Sequence, residues 1–257
     1  MRVNQADATP FILLVLFAAT FLAGVVVMAF AARWHRHAME RTRRAGEKII
    51  SALQAAPVAN GNSLGRRPAL WIAIHTPDAA GVFNALGLDH PQPGHWTQCA
   101  PGSGRMFVSV PVNGWTLICG DGIPDPLDDV DRCFRFLLNL STALGHVQLF
   151  SASPILDDHA WARLESGRVI RAYAWAAGQT LWNQGDPTPD ERQLGLKCFG
   201  YGECTDASDW RLRERVLENL VKVPLLAARW SLDPAELESV PSTRASGMAG
   251  FAGSIHS

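Results

Sequence analysis

Asp157, Asp158 and His159 stand in a row, with Ser151 and Ser153 a few residues before them. Hydroxyl, imidazole and carboxylate are the parts of a nucleophile activated by a base that a third group orients. A hydrolase-like reaction is the chemistry such a set supports. Those roles are spatial, however, and the paired aspartates equally suit the turn that opens a strand. A second group, His90, His95 and Cys99 in DHPQPGHWTQC, offers imidazole and thiolate to a metal, but a fourth ligand is not evident. Asp121, Asp125, Asp128, Asp129 and Asp131 lack the spacing of a calcium loop, and the later ones suit a helix N-terminus. No nucleotide-binding glycine loop, nucleophile elbow or metalloprotease helix occurs, and no cofactor is expected.

The chain holds nine tryptophans. Tyr173 and Trp175 share one face of an expected strand. With Trp182, and with Arg163 and Arg171 nearby, they make a candidate wall for gripping a peptide or ligand. Core packing is the competing account, because aromatic side chains dominate cores and interfaces alike.

The elements that would position these residues are legible as alternating and helical patterns. Ala69 to His75 reads as a buried strand. Thr76-Pro77-Asp78 then opens a helix that Gly87 stops. Asn113-Gly114 predicts a hairpin between strands at 105–111 and 114–120, and 127–144 has helical spacing. Short strands follow at 146–151, 159–165, 169–175 and 180–182. A last helix containing Val216, Leu217 and Leu220 is ended or kinked by Pro224. The fold class expected is α+β, a mostly antiparallel sheet with flanking helices.

Before this domain lies an uncharged apolar run. Residues 11–32 are long enough to cross a bilayer core of about 30 Å. The run exceeds a signal peptide's apolar region and its flanking charge is inverted, so a retained transmembrane helix is the expectation. Arg33, Arg36, Arg41, Arg43, Arg44 and Lys48 all follow it, which by the positive-inside rule keeps the C-terminal domain cytosolic. They form a basic collar suited to anionic headgroups, and a bacterial inner membrane is the expected location.

The resulting division is a short tail (1–10), an anchor (11–32), a basic juxtamembrane segment and linker (33–67), a globular domain (68–240) and a disordered tail (241–257). Met1 to Gly65 carries seven Lys/Arg against three Asp/Glu, a balance of +4. Arg66 to Val240 carries fifteen against twenty-one, a balance of −6. An acidic domain is repelled from nucleic-acid phosphates, so a protein partner is expected and a nucleic acid is not. The five cysteines are odd in number and form no CxxC pair. That pattern suits reduced thiols, although Cys198 and Cys204 could close a small loop in an oxidising compartment.

PVNGWTL (111–117), GHVQLF (145–150), HAWAR (159–163), GRVIRAYAW (167–175), QTLW (179–182), DPTP (186–189) and WSLDP (230–234) resemble the motifs of an uncharacterised bacterial family over most of 69–237. The resemblance implies no catalytic residues. Its members are similar to small accessory proteins found beside bacterial toxin systems, which implies an immunity-type or partner-binding role. The expectation is therefore a single-pass, membrane-anchored binding protein, with an enzyme using Asp157, Asp158 and His159 as the alternative.

Overall fold

Strands alternating between apolar sets on both faces need a layer of helices over each face, and the computed structural model has that arrangement. It describes residues 67–96, 102–153, 157–203, 210–239 and 247–252. The strands are β1 (Leu70–His75), β2 (Leu88–Gly94), β3 (Arg105–Val108), β4 (Trp115–Gly120), β5 (His146–Ser153), β6 (Asp158–Glu165), β7 (Arg168–Ala176), β8 (Gln179–Gln184) and β9 (Gly247–Ala252). The helices are α1 (Ala79–Ala85), α2 (Val130–Leu144), α3 (Pro189–Leu194), α4 (Trp210–Trp230) and α5 (Glu236–Ser239). All nine strands join one sheet in the order β2-β9-β3-β4-β1-β5-β6-β7-β8, and every pairing is antiparallel.

Local chemistry explains most boundaries. The Asp78 and Asp129 carboxylates accept from Gly81 and Arg132 backbone N–H groups at 2.8 and 2.9 Å, capping α1 and α2. Thr188 and Glu191 form a reciprocal capping box at α3, with Pro189 at its first turn and left-handed Gly195 at its end. Asn113 (φ 51°) and Gly114 (φ 81°) turn the β3–β4 connection, as Asn-Gly predicts.

One sheet face carries Ile72, Ile74, Val147, Leu149, Ala162 and Trp182 against α1 and α2. The other carries Trp71, Phe107, Phe150, Trp161, Tyr173 and Trp175 against α4, Leu232 and Leu237. Arg67 ties the start of the described domain to the connection between α4 and α5 through a two-pronged bond to Asp233, both contacts 2.7 Å.

Several expectations are corrected. In place of an α+β domain behind a transmembrane helix, the described residues form a nine-stranded antiparallel sheet with few helices. Among the described residues no helix is long and apolar enough to cross a membrane. The longest, α4, is amphipathic and carries Glu214, Arg215, Glu218, Lys222 and Arg229. The expected anchor at 11–32 and the collar from Arg33 to Lys48 lie outside the described residues. The single-pass inner-membrane placement, with a cytosolic domain, is therefore without support in the structure.

Two strands come from segments that composition assigns elsewhere. β2 runs through His90 in the proline-containing DHPQPG stretch, its prolines tolerated because β2 is an edge strand with a register shift between Asp89 and Gln92. β9 falls inside the tail expected to be disordered, and inserts between β2 and β3. Its glycines make this possible. A Cβ on Gly247 would lie 2.1 Å from the Val108 carbonyl oxygen, and one on Gly250 2.5 Å from the Phe83 ring. Pro224 lies inside α4, which continues to Trp230.

Candidate functional site

Strand alternation separates the candidate catalytic set. Asp157 sits in the turn before β6 at φ 56°. Asp158 and His159 are neighbours in one strand and so point to opposite faces. Asp158 accepts a hydrogen bond from the Ala177 N–H at 3.2 Å, and burial raises its carboxyl to about 6. His159 is fully buried beneath α4, stacked on Trp161 with ring centroids 5.8 Å apart. Ser151 and Ser153 pair with Ala160 and Asp158, and their place in β5's alternation is on the α2 side with Val147 and Leu149, away from the imidazole.

The protonation of His159 follows from its neighbour. Asn219 Oδ1 accepts from the Lys197 N–H at 2.9 Å and its Nδ2 donates to the Lys197 carbonyl at 2.8 Å, which fixes the amide orientation. The same Nδ2 lies 3.0 Å from His159 Nε2, so Nε2 accepts and the proton sits on Nδ1. Nδ1 has no hydrogen-bond partner, and burial lowers the imidazole to about 3. A base this weak, without a hydroxyl beside it, fits a core histidine.

The aromatic wall is interior. Tyr173 and Trp175 are buried, with the Tyr173 hydroxyl accepting from the Phe199 N–H at 3.0 Å and Trp175 against the Phe199 ring at 4.8 Å. Trp182 lies on the opposite face, edge-on to Phe134 at 6.0 Å.

Arg171 is also fully buried and staples α3 and the chain after it to β7. Its Nε donates to Glu191 Oε1 at 2.8 Å and Nη2 to Cys198 Sγ at 2.9 Å. Nη1 faces Asn183 Oδ1 at 2.8 Å and the carbonyls of Ala172, Gln184 and Gly185 at 3.0 to 3.1 Å. Glu191 takes the Trp161 indole N–H as well, at 2.7 Å, and Oε2 takes the Thr188 N–H at 2.6 Å. Every carboxylate oxygen is thus bonded, as a buried charge requires. Burial drives the Cys198 thiol up to about 12, far from thiolate chemistry. Cys204, its suggested disulfide partner, lies outside the described residues.

Arg163 alone of the five wall candidates reaches solvent, at the end of β6, bonded to Glu165 at 2.6 Å. There His75 and His146 flank Trp115, at 4.9 and 5.1 Å, and Gln148 Nε2 donates to the Trp230 carbonyl at 3.2 Å, fastening the last turn of α4.

Metal chemistry gains no geometry. His90 is exposed at φ 55° on β2, the His95 ring is tilted against Trp96 at 5.9 Å, and Cys99 lies outside the described residues. Among the described residues no three His, Cys, Asp or Glu side chains stand close enough to hold an ion. The acidic run serves the backbone instead. Asp121 accepts from Gly102 and Gly104, and Asp125 from Leu127.

The feature that sequence reasoning missed is the outer face of α4. Leu217, Val221 and Leu225 are 42%, 63% and 50% exposed, at i, i+4 and i+8, which puts them in one row. Val216, Leu220, Val223, Leu226, Ala227 and Trp230 bury the opposite side. The signal was available in the apolar count of 210–230, which exceeds what one buried stripe needs. Glu214 and Glu218 flank the N-terminal half of the row, Lys222 and Arg229 the C-terminal half.

The sheet edges offer less. On β8 the Tyr201 hydroxyl accepts from the Asn183 N–H at 2.7 Å and donates to its carbonyl at 3.3 Å, occupying both groups a new strand would use there. β2 carries Pro91 and Pro93. Compared with known proteins, the chain matches no family model, no curated protein and no solved structure.

Proposed function

We propose that this chain is a protein-binding module that receives an amphipathic helix of its partner along the outer face of α4. The observation that carries the proposal is the exposed row Leu217, Val221 and Leu225 on a helix whose other side is already buried. Fully burying such side chains is worth about 1.5–3 kcal/mol each, and single exposed leucines are ordinary where an aligned row is not. Guarded sheet edges favour helix docking over strand addition. An accessory or immunity-type role is one form such a module takes. The alternative of catalysis at Asp157, Asp158 and His159 has no supporting geometry, because the carboxylate and imidazole of the last two diverge across the sheet.

The test is site-specific photo-cross-linking of the full-length chain in cells. A photoreactive residue at Val221 should give one discrete protein adduct, which Leu217→Glu abolishes. The same probe at exposed Arg215, on the flank of the row, should give none. No adduct from position 221, or equal adducts from both positions, would overturn the proposal.

A further inference from the structure

Resting on that reading of α4, we infer that the helix received is the α4 of a second copy of this chain, packed antiparallel about a two-fold axis at Val221. A two-fold interface must be self-complementary, each residue meeting its counterpart at the same distance from the axis. The row satisfies this. Leu217 and Leu225 stand four residues either side of Val221, so Leu217 meets the partner subunit's Leu225 twice, and Val221, the most exposed of the three, meets itself.

The charges satisfy it too. At about 100° per residue, Glu218 and Lys222 both lie on the same flank of the row, and an antiparallel two-fold keeps that flank on one side of the seam. Within one chain Lys222 Nζ is 3.2 Å from Glu218 Oε2. Antiparallel pairing brings Glu218 beside the partner subunit's Lys222 and the converse, closing a ring of four alternating charges. Further out, Glu214 comes level with the partner subunit's Arg229, whose equivalent here is 39% exposed and lies 3.8 Å from Asp190 of α3. Parallel packing would set acidic end against acidic end and basic against basic, which like-charge repulsion opposes. A foreign helix would need the complementary pattern built into it; this helix already has it.

The symmetry makes a test that separates the inference from the broader reading. Full-length protein is examined by sedimentation equilibrium over a range of concentrations. Wild type should dimerise, and Glu218→Lys or Lys222→Glu alone should each weaken the dimer by about tenfold, since each substitution acts twice. The double variant E218K/K222E should return to within about threefold of wild type, because reversing both signs rebuilds the ring. As a second arm, Val221→Cys should oxidise to a disulfide-linked dimer and Arg215→Cys should not. Circular dichroism checks that each variant keeps its fold. A wild type that stays monomeric, or a double variant no better than the singles, overturns the self-pair. A Val221 adduct with a different protein also overturns it while leaving the docking face standing.

Discussion

Two ionisable groups that share a strand respond to acid in opposite ways. His159 titrates near 3 in the folded chain and near 6.5 when unfolded, so its folded value is depressed. Its stabilising contribution is complete above pH 6.5 and is lost as pH falls toward 3, because the unfolded chain binds a proton that the native one refuses. The full effect is on the order of 5 kcal/mol. Asp158 runs the other way. Its value is raised from 3.8 to about 6, so its contribution is present below 3.8 and is lost as pH rises through 6. His159→Gln, which cannot titrate, should therefore flatten the fall in unfolding free energy between pH 6.5 and 3, measured by urea melts at several pH values. An unchanged slope would mean that the imidazole is not buried neutral. Arg171 and Glu191 show the same economy of burial, since each nitrogen of the guanidinium has an acceptor and the pair joins α3 to β7 without leaving a charge bare. Neither role can be seen in the linear order, where Arg171 and Glu191 stand apart and Asp158 touches His159.

Among the elements, β9 and α4 depend most on what surrounds them. β9 is short and rich in glycine, with little strand propensity of its own, yet it pairs with β2 on one side and β3 on the other. Its glycines face side chains and carbonyls at distances no Cβ tolerates, so Gly250→Val should overpack against Phe83 and cost about 1–3 kcal/mol in chemical denaturation. A neutral result would show that β9 does not occupy this slot. The hairpin at Asn113-Gly114 was legible in advance, because it is decided by adjacent residues, whereas the first cap falls on Asp78 and not on Thr76, and the short helix capped by Thr188 was not foreseen. β9 was not, since composition alone reads Gly, Ala and Ser as a tail. α4 was legible as a helix while its second, outward row was not, because period 3.6 shows which residues share a face without showing which face meets a sheet.

For the molecule as a whole, the order β2-β9-β3-β4-β1-β5-β6-β7-β8 means that the last of the described strands completes one wing of the sheet. The wing closes only when residues far apart in sequence meet, which is entropically slow and leaves β2 without a partner until then. A chain ending at Ser246 should keep the β1, β4, β5, β6, β7 and β8 region protected from hydrogen exchange while the Leu88–Gly94 amides lose protection. Uniform loss, or none, would contradict the topology. The sheet also accounts for the site candidates. Residues at alternating positions in β6 and β7 were sorted by burial into an aromatic layer under α4 and a small-residue layer under α2, and nothing local decides which becomes surface. From the sequence by itself come most of the short antiparallel strands, the Asn113-Gly114 turn and the charge contrast between residues 1–65 and 66–240, all readable over a few residues or from composition. The tertiary structure alone decided that Tyr173, Trp175 and Arg171 are interior, that Asp158 and His159 part company, and that an apolar row on α4 faces outward. Burial is a property of what packs against a face, and that partner comes from elsewhere in the chain.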